Sequence, residues 1–156
     1  MKDILILGIG NLLMGDEGIG IHVVRRLQED KSLKGIDIVD GGTGGFHLLN
    51  YFHEYKRVIL VDATIDGRPA GTVRMLKPRF SSDYPPTLTA HDIGLKDLLD
   101  ALYLLDEQPE IVLFTISIEK LDKVTLDISP DIQRTIGKAA ERIAAYIKER
   151  GLLTET

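Results

Sequence analysis

Acidic side chains follow three apolar runs of strand length in this chain of 156 residues. Glu17 comes after the first run, Asp40 after the second and Asp62 after the third. His91 ends an irregular loop rich in Ser, Asp, Tyr and Pro, at a predicted helix start. Because the carboxyl ends of parallel strands meet at one edge of a sheet, we expect these side chains to converge there. Two carboxylates with one imidazole would form a mixed oxygen–nitrogen site suited to a divalent first-row metal.

Each of these residues also has a purely structural interpretation when it is considered alone. A carboxylate in the first turn of a helix, such as Glu17, often only stabilises the helix dipole. An acid that ends a strand, such as Asp40 or Asp62, often forms a turn. The other histidines fall in helical stretches and are interpreted as structural or exposed: His22, His47 and His53. The functional interpretation therefore depends on the convergence of four candidates at one edge.

The first apolar run leads into Gly8-x-Gly10, which is how a dinucleotide-binding fingerprint begins. Leu13 stands where that fingerprint needs its third glycine. Asp16 and Glu17 stand at or near the start of the following helix, where they would repel a bound pyrophosphate. The stretch therefore favours a cation over an anion. A dinucleotide-binding domain, with Asp40 on a ribose hydroxyl, is a further alternative, against which the acidic pair and the missing third glycine argue.

Composition and charge exclude several classes of partner. The net charge of −5 argues against nucleic acid and against an anionic membrane surface. No apolar run approaches the roughly 20 residues that span a bilayer, so no membrane insertion is expected. The chain has no cysteine, which removes thiol nucleophiles and disulfides together. We therefore expect a cytoplasmic protein.

Apolar runs alternate with helical periodicity along the chain, which predicts an α/β fold. We expect a single domain over residues 1–156, with three layers: a mostly parallel twisted sheet of about five strands and helices on both of its faces. The predicted strands are Ile4–Leu7, Ile36–Val39, Val58–Val61, Thr72–Leu76 and Ile111–Ile118. The predicted helices cover about 18–28, 46–55, 93–105 and 131–150, with a short extended piece near Leu126.

The common catalytic motifs are missing from the sequence. It contains no G-x-x-x-x-G-K-[ST], no H-E-x-x-H and no G-x-S-x-G. Any hydrolytic chemistry would therefore use carboxylates, bound water or a metal.

The chain resembles the hydrogenase maturation endopeptidases in four motifs that occur in the same order. The motifs are Gly8-x-Gly10-Asn11-x-Leu13-x-Gly15-Asp16-Glu17-Gly18-x-Gly20, Asp40-Gly41-Gly42-Thr43, Val61-Asp62-Ala63, and His91 before an amphipathic helix. The resemblance covers nearly the whole chain. It implies an enzyme that removes a C-terminal extension from the large-subunit precursor of a [NiFe] hydrogenase once nickel has been inserted.

The resemblance also implies roles for the four candidate residues. Glu17, Asp62 and His91 match the family's metal ligands, and Asp40 matches the acid that is tied to cleavage. The metal would be nickel carried by the substrate and bound only transiently. The implied partner is the large-subunit precursor, and the alternative function is a non-catalytic nickel-binding accessory protein of hydrogenase assembly.

Overall fold

Five strands form one sheet in the computed structural model, which describes residues 2–43, 48–78, 95–104, 109–119 and 124–151. The strands are β1 (Lys2–Gly8), β2 (Asp37–Asp40), β3 (Tyr55–Thr64), β4 (Val73–Leu76) and β5 (Glu110–Ser117). Their order across the sheet is β2-β1-β3-β5-β4. β1, β2, β3 and β5 are parallel, and β4 runs antiparallel along β5. The prediction of a mostly parallel sheet of about five strands is confirmed.

In the described ranges, four α-helices cover the two faces of the sheet. They are α1 (Ile19–Gln28), α2 (Leu49–Glu54), α3 (Leu95–Leu104) and α4 (Pro130–Glu149). Helices α1 and α4 pack on one face with Ile6, Val61 and Phe114, while α2 and α3 pack on the other. Successive strand residues alternate between these two cores because side chains of a strand point to opposite faces. The three predicted layers are therefore present.

Helix α4 illustrates why the sequence folds this way. Its predicted apolar stripe is buried against the sheet: Ile132, Ile136, Ala140, Ile143 and Ile147. Pro130 occupies the first helical position, where a missing N–H costs no hydrogen bond. In the part of the chain that the structure describes, no helix combines the length and the apolar character that crossing a bilayer requires.

The third strand is longer than the sequence predicts. Asp62 was expected to close it, but β3 continues to Thr64 and Asp62 lies inside the strand. Residues 62–64 stay in register with Thr115–Ser117 of β5, so the backbone ladder continues although the apolar run has ended. The prediction was wrong here because ladder hydrogen bonds join backbone groups and do not depend on side-chain polarity.

Candidate active site at the carboxyl edge of the sheet

Glu17 lies in a single 3₁₀ turn, Gly15–Gly18, which we call the acidic turn and which leads from β1 towards α1. All four of its residues are buried. The Gly15 N–H donates to the Thr125 carbonyl at 2.8 Å, and the Glu17 N–H donates to the Met14 carbonyl at 3.2 Å. The turn contacts β3, the strand that holds Asp62. Glu17 is therefore held at the edge where the sequence predicts a ligand.

Asp16 anchors the acidic turn to the last helix. Its carboxylate accepts the backbone N–H of Ser129 at 2.8 Å and the Ser129 hydroxyl at 2.8 Å. Ser129 immediately precedes α4, so the negative charge also lies near the positive end of that helix. Sequence reasoning missed this role. The Ser129-Pro130 pair marks a helix start, but only tertiary structure shows which acid reaches it.

Gly10 separates the acidic turn from the turn that follows β2. Its N–H donates to the Gly42 carbonyl at 2.9 Å. A Cβ atom added at Gly10 would lie 2.5 Å from the Glu17 carbonyl oxygen, closer than real Cβ contacts allow. The glycine is thus needed for close approach of the protein's own backbone. In a dinucleotide-binding domain, the missing side chain of the second glycine leaves room for the pyrophosphate. Here the Glu17 carbonyl oxygen, a hydrogen-bond acceptor, lies in that room.

Asp40 ends β2, as the sequence predicts, and forms a turn. Its Oδ1 accepts the Gly42 N–H at 2.9 Å, and its Oδ2 lies 3.4 Å from Nη2 of Arg25 on α1. Gly42 has φ +59°, a conformation that favours glycine. The Asp40 side chain is 37% exposed. Since a carboxylate has about four lone-pair positions, two acceptor positions remain beyond these contacts.

Asp62 is fully buried on the face covered by α2 and α3. Its Oδ1 accepts the N–H of Ala63 at 2.8 Å. Ile9, just after β1, donates its N–H at 2.9 Å to the Val61 carbonyl, so the chain leading to the acidic turn runs beside Asp62. Thr115 of β5 is its register partner, and the Thr115 hydroxyl has no hydrogen-bond partner among the described residues.

A cluster of polar residues extends from Asp62 towards β4, the antiparallel strand at the edge of the sheet. Arg74 of β4 is in register with Thr115 on its other side. Asp66 accepts hydrogen bonds from the Ser117 hydroxyl at 2.9 Å and from the Arg68 N–H at 3.1 Å. Burial raises the pKa of Asp66, but these hydrogen bonds and the charge of Arg68 outweigh it, so the pKa is lowered from its usual value. This cluster of polar residues was not predicted from the sequence.

His91, the fourth predicted residue, lies outside the described residues, as does His47. The structure places Glu17, Asp40 and Asp62 at the carboxyl edge of the sheet. Within the described ranges, no three His, Cys, Asp or Glu residues form a group that could hold a metal. The predicted ligand set therefore depends on a residue that the structure does not describe.

A groove of about 370 Å³ lies away from these acids, between α1 and α4. Its lining includes Arg26, Asp30 and Lys148, near the carboxyl ends of the two helices. Those helix ends lead back towards the amino edge of the parallel strands. The groove carries charges of both signs and belongs to a different part of the molecule from the acidic turn.

The fold and the carboxyl edge define a class of protein: an α/β domain whose available chemistry is that of carboxylates. Comparison with known proteins identifies the family within this class. The family model described as hydrogenase maturation protease matches residues 21–146. The chain is 30% identical over 152 residues to the hydrogenase 2 maturation protease of Escherichia coli strain K12, covering 96% of this chain and 93% of that one.

Solved structures agree with the sequence matches. The hydrogenase maturating endopeptidase HybD from Escherichia coli has a TM-score of 0.82 at 29% identity, over 96% of this chain and 94% of that one. The [NiFe] hydrogenase maturation protease HybD from Thermococcus kodakarensis has a TM-score of 0.74 at 29% identity, over 94% and 99%. The chain belongs to the hydrogenase maturation protease family, and its enzyme class is that of a hydrogenase maturation endopeptidase.

Proposed function

We propose that this protein cuts a C-terminal extension from the large-subunit precursor of a [NiFe] hydrogenase after nickel has been inserted. The family supplies the reaction class and a hydrogenase protein as substrate. The observation that carries the finer proposal is the position of the acidic turn. It contacts β3 and is anchored to α4, so Glu17 is held beside the strand of Asp62.

In this proposal the nickel of the precursor is contacted by Glu17, Asp62 and His91. Oxygen and nitrogen ligands bind nickel less strongly than soft thiolates do, so they could detect the metal without removing it from thiolate ligands of the precursor. The chain itself contains no cysteine that would compete for nickel. This donor chemistry fits a metal that belongs to the substrate.

Asp40 is proposed to act on the scissile peptide bond as general base. Gly10 contacts both the Gly42 carbonyl and the Glu17 carbonyl. The acidic turn and the turn that Asp40 forms are therefore neighbours, with Gly10 between them. A precursor whose metal lies at Glu17 would therefore place adjoining backbone near Asp40. The remaining acceptor positions of the carboxylate could take a proton from an attacking water.

The alternative function is a nickel-binding accessory protein without cleavage activity. One observation favours it: Asp40 already accepts the Gly42 N–H and neighbours Arg25, as a purely structural turn residue would. Under this alternative the protein binds the nickel-loaded precursor and leaves its length unchanged.

Intact-mass measurement separates the two functions. Purified protein is incubated with nickel-loaded precursor and, in parallel, with nickel-free precursor. We expect a single mass loss at the carboxyl terminus, in the nickel-loaded sample alone. Binding of loaded precursor without any mass loss would support the accessory function.

The cytoplasmic location and the absence of nucleic-acid partners stay predictions, which cell fractionation and a binding assay with nucleic acid would test.

A further inference from the structure

Large apolar side chains are strongly exposed at four positions in the described part of the chain, and three of these are neighbours. Leu13 is 58% exposed, Val124 is 74% exposed and Leu126 is 72% exposed. We call these three residues the apolar patch. The fourth, Leu104, ends α3, which leads to the amino end of β5 and so lies at the opposite edge of the sheet.

Backbone hydrogen bonds hold the apolar patch together. The Thr125 N–H donates to the Leu13 carbonyl at 2.8 Å, and the Gly15 N–H donates to the Thr125 carbonyl at 2.8 Å. These bonds form a parallel bridge between Met14 and Thr125. The Leu13 carbonyl thus lies against the peptide that joins Val124 to Thr125, which places Leu13 beside the segment that carries the other two patch residues. Met14 and Thr125, the bridged pair, are half-buried, while the patch residues are exposed.

The apolar patch is continuous with the candidate active site. Leu13 is two residues before the acidic turn that holds Glu17. Leu126 is three residues before Ser129, which binds Asp16 of the same turn. Both bridged segments therefore lead to the acidic turn or to Ser129, which is hydrogen-bonded to it. A partner that brings a metal to Glu17 approaches directly beside three exposed apolar side chains.

We propose that the apolar patch docks the hydrogenase large-subunit precursor, through an apolar surface of the precursor that lies beside its metal centre. This inference rests on the proposed function, since it uses the same partner and the same site. An apolar patch of roughly a few hundred Å² is about as large as the largest one on a typical monomeric protein, and such patches are often functional. Three side chains offer roughly a few hundred Å², well below the ~800 Å² per partner of a stable interface. The patch is thus too small for a dimer of this chain and suits one part of a larger contact that includes the acidic turn.

A triple variant tests the docking surface. Leu13→Ser, Val124→Thr and Leu126→Ser are combined, and Leu104→Ser serves as the matched control. KM and kcat are measured for cleavage of nickel-loaded precursor, and Kd is measured by surface binding. The proposal predicts that the triple variant raises KM and Kd about tenfold or more, as loss of a central contact does, with kcat and the melting temperature unchanged. The control is expected to keep the wild-type constants.

Each other outcome has a defined meaning. If the wild type cleaves and the triple variant keeps its KM and Kd, the docking surface is wrong while the proposed function stands. If the wild type binds precursor without cutting it, the protease function fails and the Kd comparison still decides about the patch. If the wild type is a dimer that the triple substitution dissociates, the patch joins two copies of this chain and the proposal is overturned. Should the triple variant unfold, Leu126→Ser alone carries the same comparison.

Discussion

Neighbouring acids at the carboxyl edge of the sheet have different surroundings, and these suggest different roles. The Asp16 carboxylate accepts two hydrogen bonds from Ser129, one at each oxygen. Asp40 holds its own turn through Gly42 but keeps an exposed carboxylate. Glu17 is buried in the same turn as Asp16 and is the acid that we assign to the metal. Removing a charge should therefore have an effect that depends on which of the three is changed.

We predict that Asp40→Asn binds nickel-loaded precursor as the wild type does and cleaves it roughly 100- to 10,000-fold more slowly, the usual contribution of a general base. The amide keeps the shape of the side chain and loses both its charge and its basicity. A precursor pull-down and a cleavage time course measure the two effects. Asp3→Asn, an exposed acid at the other edge that pairs with Lys56, controls for loss of surface charge. A wild-type cleavage rate would reduce Asp40 to a turn residue.

Asp16→Ala should lower the free energy of unfolding by about 1.5–3 kcal/mol, the typical effect of losing a hydrogen bond to a charged group. Ser129 would keep a partly buried N–H without its acceptor. The control is Asp131→Ala, which removes an exposed acid from the first turn of the same helix and should cost less than about 1 kcal/mol. Urea denaturation measures both. Equal losses would mean that Asp16 acts through helix charge alone and does not anchor the turn.

Among the elements, the sequence predicts types and order well because apolar periodicity reports burial directly. Every predicted strand and helix corresponds to an observed one, including the extended piece near Leu126, which forms the bridge of Thr125. The end of β3 and the partner of Asp16 were not predictable, since each depends on a contact distant in sequence. Spacing also could not reveal that Gly10 contacts both the Glu17 carbonyl and the Gly42 carbonyl of the turn that Asp40 forms.

Gly10→Ala should destabilise the fold by about 1–3 kcal/mol, as overpacking does. The new methyl group would overlap a backbone oxygen and push the acidic turn outward, so cleavage should also slow. Gly137→Ala is the matched control, because a Cβ there meets nothing within 4 Å and alanine favours a helix over glycine by up to about 1 kcal/mol. Thermal melts and cleavage rates compare the two variants. Unchanged stability and rate in Gly10→Ala would show that the turn can move freely.

His22 of α1 should make stability fall in mild acid. Burial, aided by the nearby charge of Arg25, lowers the pKa of His22 from its usual 6.5. The unfolded chain then binds a proton at a higher pH than the folded protein, so stability is full above about pH 6.5 and decreases as the pH falls towards the folded pKa. Urea titrations at several pH values should show less of this decrease in His22→Gln than in the wild type. A decrease in the variant as large as in the wild type, or larger, contradicts the assignment.

For the whole molecule, the two edges of the sheet differ in what they carry. The amino edge has exposed ion pairs, such as Lys56 with Asp3 and Arg57 with Glu110, and exposed pairs of this kind add little stability. The two apolar cores lie between the edges and hold the strands in register. The carboxyl edge carries the acidic turn, Asp40, Asp62 and the apolar patch. In the proposed function, substrate recognition and cleavage both take place at this one end of the sheet.

The central claim is that the carboxyl edge recognises nickel carried by the precursor. The most direct measurement is the ratio of affinities for nickel-loaded and nickel-free precursor, compared between the wild type and Glu17→Gln. The claim predicts a strong preference for loaded precursor in the wild type. It predicts at least a tenfold loss of that preference in the variant, since a buried ligand contributes on the order of a few kcal/mol. A Glu17→Gln protein that keeps the full preference and the wild-type cleavage rate would contradict the claim.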